Sequence, residues 1–341
     1  MFKTQFLGKL LYGLNIFAAL LLFISFVLPF LPPKSFPTLS VLSLAVSPLI
    51  LVNLLFAVYW LIRLKKRFWF SATVVVVAYF LFNAFFEISS EGDASEYSHT
   101  LKVLSYNVRL FNAYEKNPNE AEVKQSIASL LKDETPDVVC IQEYYLPNTA
   151  DFSQFPYHYI HFKDSTHKLG HAIFSKHPIV HKGAFDFDKT YNNSLFVDVV
   201  VKGDTIRVYN LHLQSLGILP TVDFIQQKGT ETIKKKISET FVQQENQVAS
   251  IIAHKEKAPH PVILAGDFNN TAFSYIYKRL KNGMNDAFQE RGNGLGTSFY
   301  FNKYPLRIDF ILASEELEIL DFTNRKESFS DHYPIISTIA W

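Results

Sequence analysis

The chain has 341 residues, 48% of them hydrophobic, a formal charge of +1 and one cysteine. That length holds one or two domains, and a lone cysteine excludes an intrachain disulfide. The charge is uneven: seven Lys and Arg face one acid, Glu87, before residue 88, which leaves 26 bases and 31 acids after it. Domains that grip nucleic acid without sequence preference are usually basic, so residues 88–341 fit that class poorly.

Segments 10–31, 39–62 and 68–86 carry no charged side chain. Each approaches or exceeds the roughly 20 apolar residues that a bilayer core requires, so three transmembrane helices are predicted over a membrane anchor of residues 1–86. Asn15, Pro48 and Asn53 are tolerable there, because packed neighbours can satisfy them. The first segment is too long for a signal-peptide apolar region of roughly 7–15 residues, and no small-x-small cleavage site follows it. Arg63, Lys65, Lys66 and Arg67 separate the second and third segments, whereas the first connection holds only Lys34 and the N-terminus adds Lys3 and Lys9. By the positive-inside rule this predicts a multi-pass protein of the inner or plasma membrane, with everything after the third span outside the cytoplasm.

Residues 87–100, "EISSEGDASEYSHT", turn abruptly polar and read as a linker. From residue 101 the chain becomes an ordinary globular mixture. "LKVLSYN" (101–107) alternates like a strand, and 120–131 places Val123, Ile127, Leu130 and Leu131 at helical spacing. "DVVCIQE" (137–143) reads as a buried strand, with Cys140 as a small core hydrophobe. Strands are predicted at 171–176, 194–201 and 205–213, with Gly203-Asp204 as a hairpin signal. A helix follows over roughly 238–255, then the strand of "PVILAGDFNN" and the strands 307–313 and 333–340. Strands mixed with helices, some joined by hairpins, predict an α/β sandwich with mixed sheets.

These buried strands share one habit: they begin or end on polar side chains. Asn107, Glu143, His212, Asp267 with Asn269, Asp309, and Asp331 with His332 all fall at or near strand ends. One such residue is a turn cap; six places suggest a single polar site at one edge of stacked sheets. Carboxylates and amides without cysteine suit a hard cation, Mg²⁺ or Mn²⁺. Zinc would want a denser His or Cys cluster. The H-x-x-x-H pairs His167/His171 and His177/His181 are not on helices, and Pro178 interrupts the second. Asp267 could orient or deprotonate a water, Asn269 could donate to a phosphate oxygen, and His332 held by Asp309 or Asp331 could stabilise a five-coordinate phosphorus. No G-x-S-x-G, P-loop or G-x-G-x-x-G motif is present, and "GNGLG" (292–296) follows no predicted strand.

The ordered set "SYNVR", "IQE", "GHAIFSKHPI", "NLHLQS", "GDFN", "RIDFIL" and "SDHYPI" resembles the endonuclease/exonuclease/phosphatase superfamily over about residues 101–341. The resemblance implies a four-layer α/β sandwich with two packed mixed sheets, and divalent-metal-dependent hydrolysis of a phosphate ester. It implies Glu143 as main metal ligand beside Asn107, with Asp331 near the metal. Asp267 would position the water, Asn269 would contact the phosphate, His212 and His332 would be the paired histidines, and Asp309 would orient His332. Asn210, which opens "NLHLQS", is assigned to substrate contact. Some members carry an Asp where this chain has Arg109, which puts a second metal in doubt. Arg109 is either a substrate-phosphate contact or a surface ion pair.

Residues 216–240 read as an insertion on the active-site side, in which Ile218, Leu219 and Phe224 are costly to expose and Lys234–Lys236 adds a basic run. It is either a packed loop or a lid or lipid-facing element. The expected function is a membrane-tethered phosphoesterase acting on a phosphodiester or on a lipid or sugar phosphate. The rivals are a tethered nuclease and an inactive phosphate- or lipid-binding scaffold. No protein partner is indicated.

Overall fold

The computed structural model describes residues 2–82, 85–115, 119–164, 166, 168–218 and 226–341, the first four by backbone alone. His167, Leu219 and Phe224, singled out above, lie outside the described residues.

The N-terminal part consists of helices α1 (Phe2–Ser25), α2 (Pro37–Ser40), α3 (Val46–Ile62) and α4 (Phe68–Phe82). Two stretches, Phe6–Phe30 and Pro37–Ile62, are long and apolar enough to cross a membrane. The third expected span is not of that length: α4 has 15 residues. Just beyond the predicted span, Glu87–Ile88 pairs as a strand with Asn293–Gly294 on the following domain. The three long helices share a polar seam. Asn15 Nδ2 donates to Ser71 Oγ, Trp60 Nε1 donates to Asn15 Oδ1 at 2.8 Å, and Ser71 Oγ donates to Asn53 Oδ1 at 3.1 Å. Asn53 Nδ2 donates to the carbonyls of Ala18 and Leu49. Hydrogen bonds of this kind hold helices together where apolar burial gives little preference.

The predicted linker is docked rather than free. Besides that pairing, Gly92 N donates to Leu320 O at 2.7 Å, and the His99 ring stacks on Trp341 at 5.5 Å.

The strands in chain order are β1 (Glu87–Ile88), β2 (Thr100–Asn107), β3 (Val138–Tyr145), β4 (Tyr157–Asp164), β5 (Leu169–Ser175), β6 (Ile179–Asp186), β7 (Asn193–Val201), β8 (Asp204–His212) and β9 (Val262–Asp267). They continue with β10 (Met284–Asp286), β11 (Asn293–Gly294), β12 (Phe299–Phe301), β13 (Tyr304–Leu306), β14 (Asp309–Ser314), β15 (Glu318–Ile319), β16 (Thr323–Asn324) and β17 (Ile335–Ala340). One sheet runs β15-β17-β2-β3-β5-β4 with β16 beside β17, and the other runs β10-β14-β9-β8-β7-β6. Each contains one parallel pair, β2 with β3 and β8 with β9, among antiparallel neighbours. The chain is therefore a mixed-sheet sandwich, with Val103, Cys140 and Ile173 facing Val197, Val208 and Ile263 between the sheets. Helix α5 (Glu120–Glu134) covers one outer face through Val123, Ile127, Leu130 and Leu131. Helices α6 (Thr230–Lys255) and α7 (Tyr275–Lys281) cover the other. That second outer core also takes in Leu22, Leu28, Val46, Ile50 and Phe82, so the N-terminal helices pack directly on the domain.

Helix α6 starts eight residues before its predicted start. Ile233, Ile237 and Phe241 bury their side chains against Val41 and Leu44, a partner supplied by the N-terminal helices. Lys234–Lys236 is thus part of this helix rather than a loop.

Candidate active site

The parallel pairs run in the same sense at the sandwich edge, so the ends of β2, β3, β8 and β9 bring Asn107, Glu143, His212 and Asp267 together. Asp309 opens β14 directly opposite Asp267 in register, and His212 lies beside Asp267 on the other side. Two local devices aim these groups. Glu143 sits where the β3–β5 register shifts, with φ +53°, and a bulge of this kind redirects a side chain. Gly266 has φ +141°, and a Cβ there would meet Leu211 O at 2.0 Å. Only glycine allows β8 and β9 to approach this closely just before Asp267.

Asp267 is the hub. Its Oδ2 accepts from Asn107 Nδ2 at 3.1 Å and Asn269 Nδ2 at 3.2 Å, and its Oδ1 accepts from Asn269 N at 2.7 Å. His332 Nε2 lies 3.6 Å from Oδ2, while its Nδ1 meets Asp309 Oδ2 at 2.9 Å. His212 Nε2 lies 3.7 Å from Asp267 and 3.9 Å from Glu143 Oε1. Asn107 Nδ2 also reaches Glu143 at 3.5 Å.

Burial pushes the Asp267 carboxyl up to about 7, against the opposing pull of His332. Burial would strip the proton from His332, but Asp309 and Asp267 outweigh it and hold its pKa at about 10. Glu143 is raised by desolvation, again opposed by His332. His212 is driven well below its ordinary value by burial, with His171 and His332 adding repulsion. The site therefore pairs an imidazolium, His332, with a neutral imidazole, His212. Asn192 Nδ2 donates to His212 Nε2 at 2.9 Å, which leaves the proton on Nδ1. That buried Nδ1 has no hydrogen-bond partner among the described residues.

Arg109 and Asp331 line the same pocket. Arg109 pairs with Glu115 at 2.8 Å and lies 3.8 Å from Asp331, so the ion-pair reading of Arg109 is realised while it still faces the pocket. Asn269 also lines the pocket, but its amide is committed to Leu213 O and to Asp267. It orients Asp267. Asn210 does not reach the pocket. Its Nδ2 donates to Ile141 O and Ala172 O, and its Oδ1 accepts from Gln142 at 2.7 Å. Both side-chain polar atoms of Asn210 pin β8 to the opposite sheet, so the assignment to substrate contact is corrected: it registers the two halves of the site.

The sequence matches the Endonuclease/Exonuclease/phosphatase family over residues 104–332, which spans every one of these residues. The chain belongs to the endonuclease/exonuclease/phosphatase family. Residues 8–85 match a second family, described as a domain of unknown function (DUF8431). No curated protein matches. Among solved structures, an endonuclease/exonuclease/phosphatase from Bacteroides vulgatus superposes with TM-score 0.56 at 16% identity, covering 71% of this chain and 99% of that one. A Bacteroides thetaiotaomicron family protein gives 0.54 at 18%, covering 71% and 98%. D. rerio TDP2, complexed with a single-strand DNA product, gives 0.53 at 17%, covering 72% and 100%. At these identities the likeness concerns the fold.

Members of the endonuclease/exonuclease/phosphatase family are typically hydrolases of phosphoester bonds and use divalent metals. The residues present fit such an ion. Ligand atoms of Asp267, Asp309 and His332 lie within 4.8 Å of one another. His332 is itself the cation of that trio, with both ring nitrogens facing carboxylates. Four carboxylates (Glu143, Asp267, Asp309, Asp331) face two cationic side chains, His332 and Arg109, an excess that suits a hard divalent cation.

Two supporting residues escaped the motif reading. His171 Nδ1 accepts from Glu143 N at 3.1 Å, and burial pushes it down to about 3, which keeps it neutral. It was visible in "GHAIFSKHPI" but carried no role there. Ser298 Oγ accepts from the backbone N–H groups of Ile308 and Asp309 at 3.0 Å each. Nothing in its local sequence, a lone Ser in a loop, signals that task.

Proposed function

We propose that this protein is a membrane-tethered, divalent-metal-dependent phosphoesterase. The observation that carries the reading is the buried Asp267 carboxylate set 3.6 Å from the His332 imidazolium at the floor of an electronegative pocket. Glu143 and Asn107, with Asp331 nearby, would hold the cation, which would supply charge neutralisation for the phosphate and polarise its oxygens. A water placed beside Asp267 Oδ2 gives its proton to that carboxylate, whose raised pKa suits it to a base near neutral pH. The water oxygen bonds to phosphorus as the ester P–O bond breaks, and the departing oxygen takes a proton from solvent. His332 Nε2, fixed by Asp309, stabilises the negative charge that builds on the phosphoryl oxygens. Asn269 keeps the Asp267 carboxylate in plane.

A nuclease is the second reading, favoured by the likeness to TDP2 with its single-strand DNA product. The acidic balance of residues 88–341 and the apolar wall of the pocket weigh against it. The deciding experiment gives the purified full chain phospholipid, sphingolipid, sugar-phosphate, DNA and RNA substrates with Mg²⁺, Mn²⁺ or chelator. Hydrolysis of a lipid or sugar phosphate that chelator abolishes is the expected result; undiminished activity in chelator would sink the metal-dependent reading, and selective cleavage of DNA or RNA would install the nuclease.

We further propose that the catalytic domain lies outside the cytoplasm. It packs at the ends of the helices away from the basic segment Arg63–Arg67, the segment that favours the cytoplasm. Because Cys140 is buried, introduced cysteines report cleanly. In intact cells an impermeant maleimide should label Ser95→Cys and spare Lys65→Cys; the reverse pattern defeats the orientation.

A further inference from the structure

The pocket that holds the catalytic groups has a volume of about 600 Å³, and its walls are of two kinds. Asn107, Glu143, Asp267 and His332 line it as one connected polar group. Apart from Arg109, Ser215, Asn269, Tyr304 and Asp331 the remaining side chains are apolar, and part of this apolar wall comes from the N-terminal helices: Val41, Leu44, Ala45 and Pro48 line it beside Ile233 and Ile237 of α6. This part of the wall is fixed. Ser47 Oγ and Tyr304 Oη lie 3.0 Å apart, and Thr271 Oγ1 donates to Ser43 O at 3.0 Å. A phosphate ester of a sugar or nucleotide would leave these apolar surfaces in contact with polar groups or water, which wastes their burial.

Positions 41, 44, 45 and 48 follow helical spacing, and the same face continues through Val52 and Leu55. Val52 is 38% exposed and Leu55 60% exposed, on a helix apolar enough to cross a membrane. One apolar stripe thus begins inside the catalytic pocket and ends on the surface that a bilayer would cover. A hydrocarbon chain lying along it would never meet water.

We propose that the substrate is an amphiphile, a phosphate ester carrying a long aliphatic chain drawn from the membrane, and that residues 41–48 form the wall that grips this chain. The N-terminal helices are then part of the substrate site as well as a tether. This rests on the phosphoesterase reading and deepens it.

The test uses the full chain in nanodiscs with methyl, hexyl and dodecyl p-nitrophenyl phosphates. Hydrolysis forms a water-derived P–O bond, breaks the bond to p-nitrophenolate and releases the alkyl phosphate. The wild type should prefer the dodecyl ester, and Leu44→Gln should cut the dodecyl-to-methyl ratio of kcat/KM by about tenfold, mainly through KM, because a few methylenes of contact are lost. Leu44→Ala, a milder change, should give a smaller loss in the same direction. Phe80→Gln, at a position 77% exposed on α4, should leave the ratio as in wild type. That control separates pocket contact from simple partitioning into the bilayer. If all three esters are cleaved alike, or Leu44→Gln and Phe80→Gln shift the ratio equally, the chain-binding wall is wrong while the phosphoesterase stands. If no ester is cleaved, the phosphoesterase reading fails for these substrates, and a diazirine-tailed alkyl phosphate then decides the wall separately. Labelling of the 41–48 peptide that excess dodecyl phosphate removes supports it, and labelling spread evenly over the lipid-facing helices overturns it.

Discussion

The N-terminal helices bury Asn15, Asn53, Ser71 and the Trp60 indole in one connected set; the sheet edge buries Asp267, Asp309, His212 and His332 in another. In the first set every group is uncharged, and the hydrogen bonds form a chain from Trp60 through Asn15 and Ser71 to Asn53 and two backbone carbonyls. In the second, a carboxyl is pushed up to about 7 by burial, an imidazolium is held up at about 10, and His212 Nδ1 is left without a hydrogen bond among the described residues. Polar groups are buried either satisfied, to join elements, or under electrostatic tension that a bound charge can relieve. The difference sets the helix seam apart as a satisfied joint and the sheet edge as the place where a bound charge would be stabilised.

The largest effect expected from breaking this contrast is at Glu143. Glu143→Gln should lower turnover by about a thousandfold or more, as loss of one member of a cooperating unit does. Its stability should not fall. The folded carboxyl has a raised pKa, so the ionised form costs stability once pH exceeds its unfolded value, and a neutral amide removes that cost. In chelator the variant's Tm should match or exceed wild type at pH 8, and the gap should close near pH 4. A lower Tm at pH 8 would show a structural carboxylate instead.

Asp309→Asn comes next, at about a hundredfold in kcat/KM. Asp309 is the strongest influence raising the His332 pKa, so its removal should let the imidazolium lose its proton at lower pH. The alkaline limb of the pH profile should therefore move to lower pH. A uniform loss with an unmoved limb would argue that Asp309 only supports the backbone.

Asn210→Ala should cost about 2–3 kcal/mol of stability, because Gln142 and two inter-sheet carbonyls lose their partner. KM measured at a temperature where the variant is folded should be unchanged; a selective rise in KM would restore its substrate role. Asn15→Ala should be the mildest, weakening the helix seam by about 1–2 kcal/mol. Thermal scans in detergent should show the helices loosening while cleavage of a soluble ester persists. Equal damage to both would mean that the seam and the site are one cooperative unit.

Local pattern is enough for much of this protein. The alternation or unbroken apolarity of "LKVLSYN", "DVVCIQE" and "VILAGD" placed strands, because a residue's side of a sheet is set by its parity in the chain. Polar residues at their ends, recurring at six places, located the edge, since a single one would be only a turn cap. The apolarity of 10–31 and 39–62 was legible for a similar reason: crossing a bilayer is a matter of length and composition. Three things required the folded chain. Asn210 stands two residues before His212 and faces the same way along β8, yet only packing shows that its amide is spent on the opposite sheet. The start of the predicted linker, Glu87–Ile88, is held as β1 by a partner strand some 200 residues away. The 41–48 wall of the pocket exists only because the N-terminal helices dock beside α6. Such contacts join residues with no spacing relation in the chain, so periodicity is blind to them, and only tertiary packing decides which polar groups remain free for chemistry.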